Sequence, residues 1–154
     1  MRKLAAALLV FLALPLFADT VVFAVRHAEK AADGSKDPAL TPEGAARAAS
    51  LAKILRDANV TVAYSTATTR TRSTAKALGV AVTEYSSSAD LAKKILAEDR
   101  GKNVLVVGHS NTVPDLVKAF GIAAAPEIGD NDYDNLFIVV IPDAGAARLI
   151  RLHY

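Results

Sequence analysis

Thr20-Val-Val-Phe-Ala-Val-Arg26-His27 is an apolar run that ends in an arginine and a histidine. A second run, Asn103-Val-Leu-Val-Val-Gly108-His109, also ends in a histidine. Aliphatic residues in a row without alternation predict strands that are buried on both faces. Because ligands bind at the carboxyl ends of strands in an open parallel sheet, Arg26, His27 and His109 can meet at one edge. An arginine beside two histidines at such an edge indicates a phosphate site.

Strand-like and helix-like segments alternate from residue 20 to the end of the chain. The sequence predicts strands at 20–26, 60–64, 80–85, 103–108, 136–141 and 147–153, and helices at 41–57, 67–78, 89–98 and 111–120. This order predicts one domain over 19–154, a three-layer α/β/α sandwich with a mostly parallel sheet. The longest irregular segment of this domain, 122–135, is a candidate substrate loop.

Residues 1–18 have the pattern of a signal peptide. Arg2 and Lys3 precede an apolar segment over 4–17, and Ala18 offers a cleavage site. The apolar segment is too short to cross a bilayer comfortably, so we expect a periplasmic or secreted product with no membrane span after cleavage. An uncleaved anchor and a buried first helix remain alternatives.

Composition narrows the classes of function. Removing Arg2 and Lys3 from a formal charge of +2 leaves a charge near zero, which is not typical of a nucleic-acid-binding protein. The chain has no cysteine, so it has no disulfide, no thiolate nucleophile and no cysteine-bound zinc. A metal site made of His27, Glu29 and His109 is disfavoured because the neighbouring arginines would repel a cation. We therefore predict no metal site.

Histidine and arginine at the predicted edge suit phosphoryl chemistry. Histidine is partly neutral near pH 7 and leaves readily once protonated, so His27 is a candidate nucleophile. The helix that follows His109 directs its first N–H groups toward the same edge, which favours an anion. Arg70 and Arg72 follow the second strand, and either guanidinium could bind phosphate in a fork. Because they lie two residues apart on a helix, at most one of them faces the site.

Together these motifs resemble the histidine phosphatase superfamily, the phosphoglycerate mutase-like enzymes. The resemblance covers residues 20–120. It rests on Arg26-His27, on Leu40-Thr41-Pro42-Glu43-Gly44, on the segment 65–75 and on Val104-Leu-Val-Val-Gly108-His109-Ser110. The family's Ser-x-x-x-x-Arg-Ala-x-x-Thr-Ala pattern aligns Arg70, not Arg72, with the phosphate-binding arginine.

The resemblance implies a phosphoglycerate mutase-like fold and a phosphatase mechanism. His27 would attack phosphorus and form a phosphohistidine, while Arg26, Arg70 and His109 would hold the phosphoryl oxygens. A small phosphorylated molecule would be the substrate, and the scheme needs no cofactor.

The chain departs from the family pattern where a general acid is expected. Ser110 stands where phytase-type members have Asp, and Ala28 replaces the usual glycine. Mutase-type members carry a Glu in an insertion beyond the third strand, which is short here. Asp90 is the nearest carboxylate on that side, with Glu84 and Glu29 as alternatives. Asp90 could equally be a helix-end carboxylate that the helix dipole favours.

Two other functions are compatible with these motifs. A phosphoglycerate mutase-like phosphotransferase is disfavoured by the short segment after the third strand. A catalytically inactive phosphate-binding protein of the envelope is disfavoured because both histidines and the key arginines are present. The missing acid nevertheless keeps the second alternative open.

Overall fold

The computed structural model describes residues 18–154. The predicted signal peptide therefore lies outside the described residues, except for Ala18. Within 18–154, no helix has the length and the apolar character that a membrane crossing requires.

Six strands and four helices form the described part of the chain. They are β1 (Thr20–Arg26), α1 (Pro42–Ile54), β2 (Val60–Ser65), α2 (Thr69–Lys76), β3 (Val82–Glu84), α3 (Ser88–Glu98), β4 (Asn103–Gly108), α4 (Thr112–Ala119), β5 (Asn135–Ile141) and β6 (Arg148–His153). The sheet order is β3-β2-β4-β1-β5-β6. The first four strands of this order are parallel, and β5 and β6 are antiparallel to their neighbours. The predicted mixed α/β fold with a mostly parallel sheet is confirmed.

The sheet carries a hydrophobic cluster on each face. One cluster joins strand residues to α3 and α4 through side chains such as Ile95 and Leu116. The other joins the opposite strand faces to α1 and α2 through Leu51, Leu55 and Ala75. Because β1 and β4 contribute to both clusters, their residues are apolar without alternation. This double burial fixes the strands whose ends carry the two histidines.

The third strand is shorter than the sequence predicts. It covers Val82–Glu84 where we expected 80–85. As an edge strand, β3 pairs only with β2, over three positions. Val80 packs against the cluster on the α1 side without joining the strand. The apolar character of Val80 therefore reflects packing and not strand pairing.

The start of α1 is held against the segment that follows His27. Thr41 is the N-cap and its hydroxyl accepts a hydrogen bond from the Gly44 N–H at 3.0 Å, as the sequence predicts. The Thr41 N–H donates to the Glu29 carbonyl at 3.0 Å. A Cβ at position 44 would lie 2.2 Å from that carbonyl oxygen, so only glycine permits the contact. The Leu-Thr-Pro-Glu-Gly motif thus fixes the backbone just beyond the first histidine.

Candidate active site

The two histidines lie together at the carboxyl edge of the sheet. Arg26 and Gly108 are register partners on β1 and β4, and the His27 N–H donates to the Gly108 carbonyl at 2.9 Å. The imidazole centroids of His27 and His109 lie 5.4 Å apart with an interplanar angle of 69°. The structure therefore brings together the residues that end the two apolar runs.

The tautomer of His27 is set by a backbone carbonyl. Nδ1 of His27 lies 2.7 Å from the Ala28 carbonyl oxygen, which can only accept a hydrogen bond. Nδ1 must then carry the proton, and Nε2 of the neutral ring keeps its lone pair. The residue is 3% exposed, so its orientation is fixed by its surroundings. An unprotonated Nε2 is the atom that a nucleophilic histidine uses.

Burial and positive charge keep His27 neutral. Burial lowers the pKa of His27 from 6.5 to about 4, although the hydrogen bond to Ala28 favours the charged form. The positive charges of Arg70 and Arg26, and that of His109 when protonated, are smaller contributions to the same lowering of the pKa. At pH 7 the ring is therefore a neutral base among cationic groups. This combination places a neutral ring nitrogen beside groups that favour an anion.

His109 is held by hydroxyl groups on both sides. Its backbone N–H donates to the Thr112 hydroxyl at 2.8 Å, and its Nε2 lies 2.8 Å from the Thr66 hydroxyl. Thr66 in turn donates to Thr71, whose own proton goes to a backbone carbonyl. Thr66 therefore accepts from His109, which places a proton on Nε2. Burial lowers the pKa of His109, and the nearby arginines lower it further.

Gly108 allows α4 to begin close behind this histidine. A Cβ at position 108 would lie 2.5 Å from the Thr112 hydroxyl oxygen and 2.8 Å from the Tyr85 hydroxyl oxygen. Any side chain here would push the start of α4 away from β4. The glycine in the second motif is therefore a packing requirement of the site.

Arg70, and not Arg72, faces the histidines. The Arg70 charge depresses the pKa of both His27 and His109, and its Nε is buried without a hydrogen-bond partner. Its Nη1 lies 3.5 Å from Asp37, which also accepts hydrogen bonds from Thr69 at the start of α2. Arg72 instead forms an ion pair with Glu84 at 2.8 Å. Asp37 is a residue that sequence reasoning missed, because it lies in an irregular loop.

Thr74 joins the arginine helix to the backbone beside His27. Its hydroxyl donates to the Arg70 carbonyl at 2.8 Å and accepts from the Ala28 N–H at 3.1 Å. The threonine of the 65–75 motif is thus fully buried and ties α2 to the segment that fixes the His27 tautomer.

Arg26 is held by the long loop that precedes β5. Its Nη1 donates to the carbonyls of Gly129 at 2.7 Å, Asp130 at 2.8 Å and Asp132 at 3.4 Å. Its Nε is buried without a hydrogen-bond partner, as is that of Arg70. Two buried guanidinium N–H groups beside the histidines are suited to phosphoryl oxygens. From the sequence, this loop was a candidate substrate loop because of its length, and the residues that contact Arg26 were not identified.

The three carboxylates considered as general acids each form an ion pair with a basic side chain. Asp90 has a side chain 74% exposed and pairs with Lys93 at 3.2 Å, which lowers its pKa. Glu84 pairs with Arg72. Glu29 forms a two-pronged contact with Arg47, and although burial raises the pKa of Glu29, Arg47 outweighs it and the pKa is lowered. A general acid needs a raised pKa, so these contacts do not favour any of the three.

Within residues 18–154, no three histidine or acidic side chains gather as a metal site. The groups around His27 are instead cationic or neutral donors. The arrangement can therefore bind an anion of phosphate type and present a nucleophilic nitrogen to it.

Residues 22–91 match the model of the histidine phosphatase superfamily, branch 1. This range contains Arg26, His27 and Arg70, and His109 lies beyond it. No curated protein sequence gives a significant match to the chain.

Solved structures of phosphatases share the fold. The protein histidine phosphatase SixA in complex with tungstate is 19% identical, with a TM-score of 0.70 over 86% of this chain and 96% of that one. A protein from Agrobacterium tumefaciens, provisionally named as the phosphohistidine phosphatase SixA, is 23% identical, with a TM-score of 0.65 over 88% and 98%. Phosphoserine phosphatase from Entamoeba histolytica in complex with 3-phosphoglyceric acid is 14% identical, with a TM-score of 0.69 over 88% and 97%.

The lowered pKa of His27 predicts a loss of stability in acid. The folded state binds this proton less readily than the unfolded chain, so the stabilisation is complete above about pH 6.5 and is lost as the pH falls toward 4. The contribution is roughly 3 kcal/mol of unfolding free energy. Urea denaturation at several pH values should show this loss in the wild type and a smaller loss in His27→Gln.

The exposed His153, which pairs with Asp134, provides the control. His153→Gln should keep the full acid dependence of the wild type. Parallel curves for the wild type and His27→Gln would show that His27 is not held neutral in the folded state.

Proposed function

We propose that this protein is a histidine phosphatase that hydrolyses a phosphomonoester through a phosphohistidine on His27. The observation that carries the proposal is the state of that ring. Its Nδ1–H is committed to the Ala28 carbonyl, its Nε2 lone pair is free, and cationic groups surround it. The match of residues 22–91 to the histidine phosphatase family supports the same chemistry.

The reaction begins with capture of the phosphoryl dianion. The unpartnered Nε–H groups of Arg26 and Arg70 are the available donors. The Nε2–H of His109 would join them by exchanging its contact with the Thr66 hydroxyl for a phosphoryl oxygen. Charge-assisted hydrogen bonds of this kind are about twice as strong as neutral ones. Because the donors are held in place before the substrate arrives, they stabilise the charge that develops on the phosphoryl oxygens without reorganising.

Two in-line displacements complete the turnover. Nε2 of His27 forms a bond to phosphorus while the bond to the leaving oxygen breaks, and the electron pair stays with that oxygen. Water then attacks phosphorus and loses a proton to solvent, the N–P bond breaks, and the ring regains its lone pair. The Ala28 carbonyl stabilises the positive charge that the ring carries while phosphorylated.

The contacts of the carboxylates favour leaving groups that need no proton from the enzyme. The charges that act on His27 come from Arg70, Arg26 and His109, and none is acidic. A phosphoramidate such as phosphohistidine takes a proton from water on its ring and then leaves as neutral imidazole. A phosphoramidate is therefore our second candidate substrate. Two of the similar structures carry the name phosphohistidine phosphatase or protein histidine phosphatase.

The other two functions fit the site less well. Only three residues separate β3 from α3, so there is no insertion to enclose a mutase substrate. An inactive binding protein would not need a neutral His27 with a free Nε2. We also propose a periplasmic or secreted location, on the basis of the signal-peptide pattern at 1–18.

The proposed intermediate can be trapped. Rapid quenching of the wild type with labelled p-nitrophenyl phosphate should give an acid-labile, base-stable phosphoprotein. His27→Asn should give none and should lower kcat/KM by roughly 10³-fold or more, because the nucleophile is absent. His153→Asn, at an exposed histidine, should behave as the wild type. A phosphoprotein of the same stability in His27→Asn would contradict the assignment.

Leaving groups should separate the candidate substrates. Without an enzymic acid, kcat/KM for p-nitrophenyl phosphate and for phosphohistidine should exceed that for an alkyl phosphate by about 10²- to 10⁴-fold. Asp90→Asn should leave all three values unchanged. If Asp90→Asn slows the alkyl phosphate alone, Asp90 is the acid after all. If the wild type hydrolyses the alkyl phosphate as fast as the others, an acid is present and the phosphoramidate candidate loses its support.

A further inference from the structure

The guanidinium of Arg26 is held almost entirely by one segment of irregular backbone, residues 129–133. Three carbonyls of this segment, those of Gly129, Asp130 and Asp132, accept hydrogen bonds from Nη1. Arg26 is 7% exposed and ends β1, so its stem is fixed by the sheet and its head by this loop. The direction in which its remaining N–H groups point is therefore determined by the loop.

The same segment supplies the one aromatic ring that contacts both Arg26 and His27 among the described residues. The ring centroid of Tyr133 lies 4.3 Å from Cζ of Arg26, which is within the range of a cation–π interaction. It also lies 6.0 Å from the ring centroid of His27, at an interplanar angle of 51°. Tyr133 thus covers a face of the guanidinium on the side of the nucleophile.

The segment is tied at both ends. The Gly129 N–H donates to the Asp132 carboxylate at 2.9 Å, which closes a turn around the carbonyls that hold Arg26. Beyond Tyr133, the Asp134 carbonyl accepts from the Tyr154 N–H at 2.9 Å. The ring and the carbonyls are therefore held together before any ligand arrives.

We propose that Tyr133 is a positioning residue for phosphoryl binding, and this inference rests on the proposed phosphatase function. Its ring stacks on the guanidinium while the carbonyls hold Nη1, so that Nε, which is buried without a partner, stays directed toward the phosphoryl oxygens. The ring also excludes water from this face, which strengthens the charge-assisted contact.

The proposal assigns the effect to the ring face and not to the hydroxyl. Phenylalanine retains a π face of similar size, and leucine is apolar but has none. Tyr133→Phe should therefore keep phosphate affinity and kcat/KM within about twofold of the wild type. Tyr133→Leu should lose roughly fivefold to thirtyfold in both, the range expected for a partly buried cation–π contact.

The experiment combines calorimetric binding of inorganic phosphate and orthovanadate with kinetics on p-nitrophenyl phosphate. The variants are Tyr133→Phe, Tyr133→Leu, Arg26→Ala and the double variant Arg26→Ala/Tyr133→Leu. Because Tyr133 acts through Arg26, Tyr133→Leu should cost little further phosphate affinity once Arg26 is absent. A residue that only stabilises the fold would give the same loss in both backgrounds and would lower the unfolding midpoint in proportion.

Three results would overturn the proposal: unchanged phosphate affinity in Tyr133→Leu, an equal loss in Tyr133→Phe, or additive losses in the double variant. Failure of the proposed function is a separate result. In that case the wild type itself neither binds phosphate nor hydrolyses p-nitrophenyl phosphate.

Discussion

The hydrogen bond from Nδ1 of His27 to the Ala28 carbonyl is the contact on which the site depends. It leaves Nε2 as the unprotonated atom of a buried, neutral ring. The Ala28 carbonyl can act in this way only because the backbone that follows His27 is fixed. Thr74 binds the Ala28 N–H, and the Gly44 turn packs against Glu29. Two motifs distant in sequence therefore fix the carbonyl that sets the tautomer of His27.

Two arginines and a histidine complete the site from three directions. Arg26 comes from the end of β1, Arg70 from the first turn of α2, and His109 from the end of β4. Each is held by neutral or acidic partners: carbonyls for Arg26, Asp37 for Arg70 and the Thr66 hydroxyl for His109. The charges of Arg26 and Arg70 disfavour protonation of His27 and favour binding of an anion. The same arrangement thus keeps His27 neutral and favours an anionic ligand beside it.

The buried strands could be predicted from sequence because a short, unbroken aliphatic run in an α/β chain is typical of a strand covered on both faces. The resemblance of residues 65–75 to the family's motif also distinguished Arg70 from Arg72, and Thr41 predicted the start of α1. Asp90 was not distinguishable from an ordinary helix-end carboxylate, and its contact with Lys93 is of that ordinary kind. The sequence around Tyr133 did not predict its contact with Arg26, because that contact joins a loop to a strand about a hundred residues earlier. Such non-local contacts have no periodicity to detect.

The tautomer of His27 provides the most direct test of the account. Long-range ¹⁵N–¹H correlation spectra of the uniformly labelled protein report which ring nitrogen of each histidine carries the proton. At pH 7, His27 should show the neutral form with the proton on Nδ1 and an unprotonated Nε2, and its titration should occur near pH 4. A proton on Nε2, or a titration near the ordinary value of 6.5, would contradict the assignment of Nε2 as the nucleophile.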